Sequence, residues 1–178
     1  MRLLLLSVLV LSACTPNNKL RRWYAEGLEY DRRGQADQAR ERYEAILEAD
    51  PDFEGARTNL AVLDARAGKP DAALGRLGKE LARHPDLSAP RLNQAILLLQ
   101  KGEAAGLRKA RALVGSFPND PRAHLVLGTA LLADGSDADA AMAAFDMVLE
   151  RGRDTEKATA HFGRGLLLAR AGQFGPAG

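Results

Sequence analysis

An intramolecular disulfide is excluded at once, because the 178-residue chain holds a single cysteine, Cys14. Aromatic residues make up only 5% of the chain and β-branched residues are few, while Ala, Leu, Arg, Glu and Asp dominate. That mixture disfavours sheet and favours helix, so an all-α fold is expected. No block of one charge stands out: 25 basic and 23 acidic residues alternate in sign, leaving a formal charge of +2 and no nucleic-acid footprint. Histidine is scarce too. His84, His124 and His161 lie far apart, with no cysteine partner and no close carboxylate–histidine spacing, which leaves no metal site and no nucleophile–base pair to read as an enzyme. The carboxylates alternate with arginines, the pattern of solvated ion pairs worth about 0.3 to 0.5 kcal/mol each. Neither phosphate-cradling glycine pattern is present. Gly163-Arg164-Gly165 supplies G-x-G alone, inside a predicted helix with no strand before it, and reads as close helix packing. No cofactor is expected. What the chain does have is 46% apolar content, enough to bury a sizeable core without disulfides or metals.

The one long apolar run, Leu3 to Leu11, follows Met1-Arg2 in the layout of a signal peptide. Nine residues are too few to cross a bilayer as a helix, which takes about 20. Directly after it, Leu11-Ser12-Ala13-Cys14 resembles the lipobox of bacterial lipoproteins, in which the cysteine is lipidated and the chain is cleaved on its amino side. A lone cysteine is more often a small buried hydrophobe. Here the position, followed by Thr15-Pro16-Asn17-Asn18, offers no fold to be buried in, so Cys14 is the expected lipidation site. The resemblance implies a lipid anchor made firm by more than one acyl chain. Thr15, which is not Asp, favours retention at the outer membrane over the inner by the family's sorting rule. Residues 1–13 are therefore expected to be the signal peptide and 14–19 a lipidated tether. At about 3.3 to 3.6 Å per extended residue, Thr15 to Asn18 would hold the rest within some 10 to 20 Å of the lipid surface.

From residue 20 onward the chain repeats. Gly34, Gly68 and Gly102 recur every 34 residues, Gly135 follows after 33, and Gly172 after a further 37. Pro51 and Pro85 are also 34 apart, each closing a helical pattern. In the first period, Trp23, Leu28 and Tyr30 precede the glycine, and Ala36, Ala39, Tyr43, Ile46 and Leu47 follow it on one helical face. Helices this short cannot bury an apolar stripe alone, so each must pair across the glycine turn and then with the next pair.

Trp23, Gly27, Tyr30, Gly34, Ala39, Tyr43 and Pro51 together resemble the tetratricopeptide repeat, although Glu26 stands where Leu is usual. The second copy keeps Asn59, Leu60, Ala61, Gly68, Ala73, Leu77 and Pro85, with Asp64 in place of the aromatic. The third is degenerate: Asn93, Ala95, Leu98 and Gly102 are kept, but its second helix around Leu107, Ala110 and Val114 is offset and closes at Pro118. The fourth keeps Leu127, Gly128, Leu131 and Gly135, then Ala141, Phe145 and Val148 after a one-residue insertion. His161 to Leu168 begin a fifth. The resemblance implies a right-handed superhelical solenoid of antiparallel helix pairs over residues 20–178, with about 4.5 repeats at 20–53, 54–87, 88–120, 121–155 and a partial 156–178. His124 and His161 take the position of Trp23, which makes them expected packing residues between repeats.

In that family the first helix of each repeat lines a concave groove. The matching positions here include Tyr24, Leu28, Arg32, Val62, Arg66, Leu92, Ile96, Leu99, Leu125 and Leu132. Read as a groove, these give an apolar floor with arginines near its first half, suited to an amphipathic helix or an extended apolar peptide. The alternative is that some of the leucines only pack between neighbouring helices. The Lys, Asn and Arg that grip a terminal carboxylate in some members are absent apart from Asn59, so no carboxylate clamp is expected. The resulting expectation is a periplasm-facing, membrane-anchored scaffold or adaptor of the bacterial envelope, similar to pilus-biogenesis lipoproteins that assist secretin assembly. Other envelope proteins or peptides would be its partners. Two alternatives remain: a self-associating lipoprotein using the Phe162, Leu166 and Leu168 edge, and an accessory subunit of a barrel-assembly or cell-wall synthesis complex.

Overall fold

A computed structural model describes residues 16–172; the expected signal peptide, Cys14 and Thr15 lie outside the described residues, as do 173–178. Nine α-helices, and no strand, make up the described residues: α1 (Pro16–Arg32), α2 (Ala36–Ala49), α3 (Ala56–Arg66), α4 (Pro70–Arg83), α5 (Ser88–Gln100), α6 (Ala105–Ser116), α7 (Pro121–Asp134), α8 (Ala138–Arg151) and α9 (Asp154–Arg170). The expected helix pairs are all present. The first begins earlier than expected, since Pro16 starts α1 and the segment Pro16–Asn18 of the tether is helical; proline, with its preset φ and missing N–H, suits a first helical position.

The turns explain the 34-residue glycine period. Gly34, Gly68 and Gly102 each lie two residues past a helix end with φ of 70 to 73°, the left-handed region that carries no steric penalty for glycine. The N–H after each glycine donates to the carbonyl five residues back, as in Gln35 to Tyr30 at 2.9 Å, Lys69 to Asp64 at 2.9 Å and Glu103 to Leu98 at 2.9 Å. Repeat four closes differently. Gly135 directly follows α7, and its own N–H donates to Leu131 at 2.8 Å, a simpler left-handed cap that leaves room for the inserted residue before α8.

The described residues fall into two compact units that divide between Ala56 and Arg57. In the first, α1 and α2 pair as antiparallel helices. Tyr43 is fully buried against Gly27, where even a Cβ would come within 2.7 Å of the ring. Ala39 and Ile46 are buried beside it. Tyr24 packs on Tyr43 and on Phe53, with ring centroids 5.9 and 5.5 Å apart.

In the second unit the pairs α5–α6 and α7–α8 stack in sequence, with α9 against both α7 and α8. Small residues let the backbones approach: Ala95, Ala110, Ala123 and Ala130 form one apolar cluster with Leu92, Leu113 and Val126. A second cluster centres on Phe145 with Leu131, Val148, Ala160 and Leu167. Phe145 is held between two glycines, since a Cβ on Gly128 would meet its ring at 2.8 Å and one on Gly163 would meet it closer still. Gly163 thus packs as expected of the G-x-G pair, whereas Gly165 has open space around it.

The α3–α4 pair is held by different chemistry. Ala61, Ala73, Leu77 and Leu97 supply a small apolar cluster. Beside it, Arg57 donates to the fully buried Glu80 at 2.8 Å, and Arg76 donates to the buried Asp64 at 2.6 Å. Asp64, which breaks the repeat pattern, is therefore half of an ion pair across the hairpin. Removing one partner of such a buried pair strands a charge and costs about 3 to 5 kcal/mol.

Candidate functional site

Helices α3 and α5 frame an open cleft of about 150 Å³ within the second unit. Its α3 wall is Val62 and Arg66, one helical turn apart, and its α5 wall is Asn93, Ile96 and Gln100. The floor is Ala61, Ala65, Leu77 and Leu97. Apolar residues thus sit at the bottom, and a guanidinium and two amides ring the top. Ile96 remains 38% exposed, one of four large apolar side chains so exposed among the described residues. An exposed branched side chain beside an apolar cleft gives up water when a partner covers it, which is the ordinary driving force of a binding surface.

Of the ten expected groove residues, the fold gathers Val62, Arg66 and Ile96 into this cleft. Leu92 is corrected: at 6% exposed it belongs to the core between α5, α6 and α7 and has no surface to offer. Leu99 packs against the same core, half-buried. Leu125 and Leu132 are likewise half-buried, against the Phe145 cluster. Leu125, Leu132 and Leu99 thus follow the alternative of packing between helices more than that of an open floor. In the first unit, Tyr24 is engaged with Tyr43 and Phe53, Leu28 is 39% exposed, and Arg32 is exposed and paired with Glu29. The floor residues Ala61 and Leu77 escaped the sequence reading as site residues, because they were visible only as repeat-pattern positions facing the partner helix.

Two further clefts are filled by their own charges. One of about 180 Å³, lined by Leu81, Pro85, Gln94 and Lys109, is crossed by Arg91, whose Nε and Nη2 donate to the Pro85 carbonyl at 2.9 and 2.7 Å. The other lies among Asp120, Arg122, Arg151, Arg153 and Glu156. There Arg122 donates to Asp120 at 2.7 Å and holds its carboxyl below the usual range. Arg153 does the same for Glu156, through its side chain at 2.7 Å and its backbone N–H at 2.9 Å. The second arrangement closes the first turn of α9 as a capping box.

The histidines take three separate roles. His124 Nε2 lies 2.8 Å from the Pro118 carbonyl, His84 follows α4 as its C-cap, and His161 is exposed, so His161 does not pack between repeats as expected. Among the described residues no three His, Cys, Asp or Glu side chains group as metal ligands would. No helix of the described residues is long and apolar enough to cross a membrane.

Two family models, each for the tetratricopeptide repeat, match residues 32–89 and 92–155. No curated protein matches. Among solved structures, the chain is similar to a tetratricopeptide repeat protein from Parabacteroides merdae ATCC 43184, at 21% identity and a TM-score of 0.67, over 88% of this chain and 61% of that one. It is similar to the APC/C hetero-tetramer Cut9-Hcn1 at 19% identity and a TM-score of 0.78, over 86% of this chain but only 31% of that one. MamA from Desulfovibrio magneticus RS-1 matches at 20% identity and a TM-score of 0.68, over 87% and 86% of the two chains. The chain thus spans less than two thirds of the length of the first two, and at these identities the likeness is one of fold.

Proposed function

Since the chain belongs to the tetratricopeptide repeat family, whose helix pairs serve as scaffolds for protein–protein interaction, we propose that it is a protein-binding adaptor that takes an apolar side chain of its partner into the α3–α5 cleft. The observation that carries this reading is the exposed Ile96 beside a cleft whose floor is apolar and whose rim is polar. Arg66 on that rim favours a partner with acidic residues flanking the inserted side chain. Cys14, from its place after a signal-peptide layout, is the proposed lipid anchor, and it would present the adaptor at the periplasmic face of the outer membrane. The partner class proposed first is an assembling envelope complex such as a secretin or pilus.

Affinity capture from detergent-solubilised membranes tests both halves. Ile96→Asp is expected to lose the captured partner while retaining wild-type helicity; equal capture by the variant would remove the cleft from the reading. Cys14→Ala is expected to move the protein out of the membrane fraction and to end incorporation of labelled palmitate. Unchanged labelling would sink the anchor and leave the cleft untouched.

A further inference from the structure

The second helix of three repeats is tied by charge to a neighbouring helix: Arg42 of α2 lies 2.9 Å from Glu26, Arg76 of α4 lies 2.6 Å from Asp64, and Asp146 of α8 lies 3.2 Å from Arg164. The second helix of the third repeat, α6, makes no such tie. It carries Arg108, Lys109 and Arg111 and no carboxylate. All three cations are exposed, with no ion pair or side-chain hydrogen bond among the described residues. Between Asp86 and Asp120 the sole carboxylate is Glu103, and it is held 2.9 Å from Lys101. Arg91 of α5 adds a fourth cation, lining one cleft with Lys109, and no acidic residue lines that cleft. The two signs nearly balance over the whole chain, so this excess is local.

Arg108, Arg111, Ala112 and Gly115 fall at helical spacing on one exposed face, with Lys109 and Ser116 beside them. Every residue of that face other than the cations is small, so the charges are its outermost groups. None of the large exposed apolar side chains of the described residues belongs to α6. A protein partner held with appreciable affinity needs a buried aromatic or aliphatic anchor, and this face offers none. An anionic lipid leaflet needs only positive charge laid against it, with no fitted pocket. We propose that the α6 face docks on anionic phospholipid headgroups, with Arg108, Lys109 and Arg111 against their phosphates. The contact is separate from the α3–α5 cleft and needs no lipid on Cys14. Each basic side chain near such a surface strengthens binding about fivefold, so the three together supply roughly a hundredfold. Being exposed, they lose that advantage as salt screens the leaflet.

The test is vesicle flotation of the full 178-residue chain carrying Cys14→Ala, with phosphatidylglycerol mixed into phosphatidylcholine and with phosphatidylcholine alone. The apolar run Leu3 to Leu11 contributes alike to every variant, so the readout is the ratio of binding to the two vesicles. That ratio is expected to be large at low salt and to collapse at high salt. Arg108→Glu with Arg111→Glu should lower it about twentyfold or more while keeping helicity by circular dichroism. Arg33→Glu with Lys69→Glu makes the same change in net charge at two exposed turns and should leave the ratio within about twofold of the parent's. Equal loss from both pairs would mean that net charge acts without the α6 face, and overturns the proposal. So does a parent chain indifferent to lipid charge, the result expected if an acidic protein were the occupant instead.

Discussion

The α7–α8 and α3–α4 hairpins form the fourth and second repeats and are locked by opposite means. In the first, the Phe145 ring fills the space between Gly128 and Gly163 and is 1% exposed. In the second, Ala61 and Leu77 stand where the glycine and the aromatic would be, and the Arg57–Glu80 and Arg76–Asp64 pairs supply the remaining cross-links. The aromatic ring fills the notch at Gly128, while Ala61 and Leu77 both line the α3–α5 cleft. A repeat can therefore carry smaller residues at these two positions and a cleft beside them where another interaction keeps its hairpin closed.

That comparison breaks most sharply at its two locks. Phe145→Ala is expected to lose about 3 to 5 kcal/mol in urea denaturation through the cavity it leaves, and Glu80→Ala about as much by stranding Arg57. The double replacement Arg57→Met with Glu80→Leu separates the two mechanisms. It removes both charges together and is expected to recover most of the loss, since a buried pair is often replaced by apolar residues at little cost. No recovery would mean that the pair holds the hairpin through more than mutual neutralisation.

The glycines give a smaller and opposite-signed contrast. Gly163→Ala drives a methyl into the Phe145 ring and is expected to cost about 1 to 3 kcal/mol. Gly165→Ala meets open space on the same helix and is expected to gain about 0.5 to 1 kcal/mol from helix propensity, read from thermal melts at dilution. Equal effects at the two sites would undo the assignment of one filled and one empty notch.

The smallest effect is electrostatic. Asp120 and Glu156 have carboxyls held below their unfolded values by Arg122 and Arg153 respectively. Depressed carboxylates stabilise the fold above the unfolded pKa, and that contribution is lost as pH falls through the folded value. The pairs are partly exposed, so each is worth below about 1 kcal/mol. Glu156→Gln should flatten the acid side of the melting profile without changing the melt near neutrality by more than this. A profile that stays as steep as the wild type's would show that the α9 capping box does not contribute to acid stability.

Much of the fold was legible because its signals are local. A left-handed turn needs glycine, and the recurrence of Gly34, Gly68 and Gly102 fixed where helices end before any packing was known. Ala39, Ala73 and Ala141 were legible as close-contact positions for the same reason: each is fully buried where the pattern places it. The site was legible only in part. Val62, Arg66 and Ile96 line one cleft. Leu92, on the same helix as Ile96 and four residues before it, turned inward instead. A difference of less than one turn in facing separates a 6% exposed core leucine from a 38% exposed isoleucine, and periodicity does not resolve that.

By itself, the sequence determined the helical class, the repeat length, the turn positions and the stacking of pairs, because helix propensity, glycine backbone freedom and apolar periodicity act over a few residues. Tertiary structure alone decided that Arg57 meets Glu80 across 23 residues, that Ala61 and Leu77 floor a cleft, and that one glycine of Gly163-Arg164-Gly165 is filled while the other is empty. Those outcomes depend on which side chain arrives from another helix, and the volume and charge of an arriving neighbour are not written at the position that receives it.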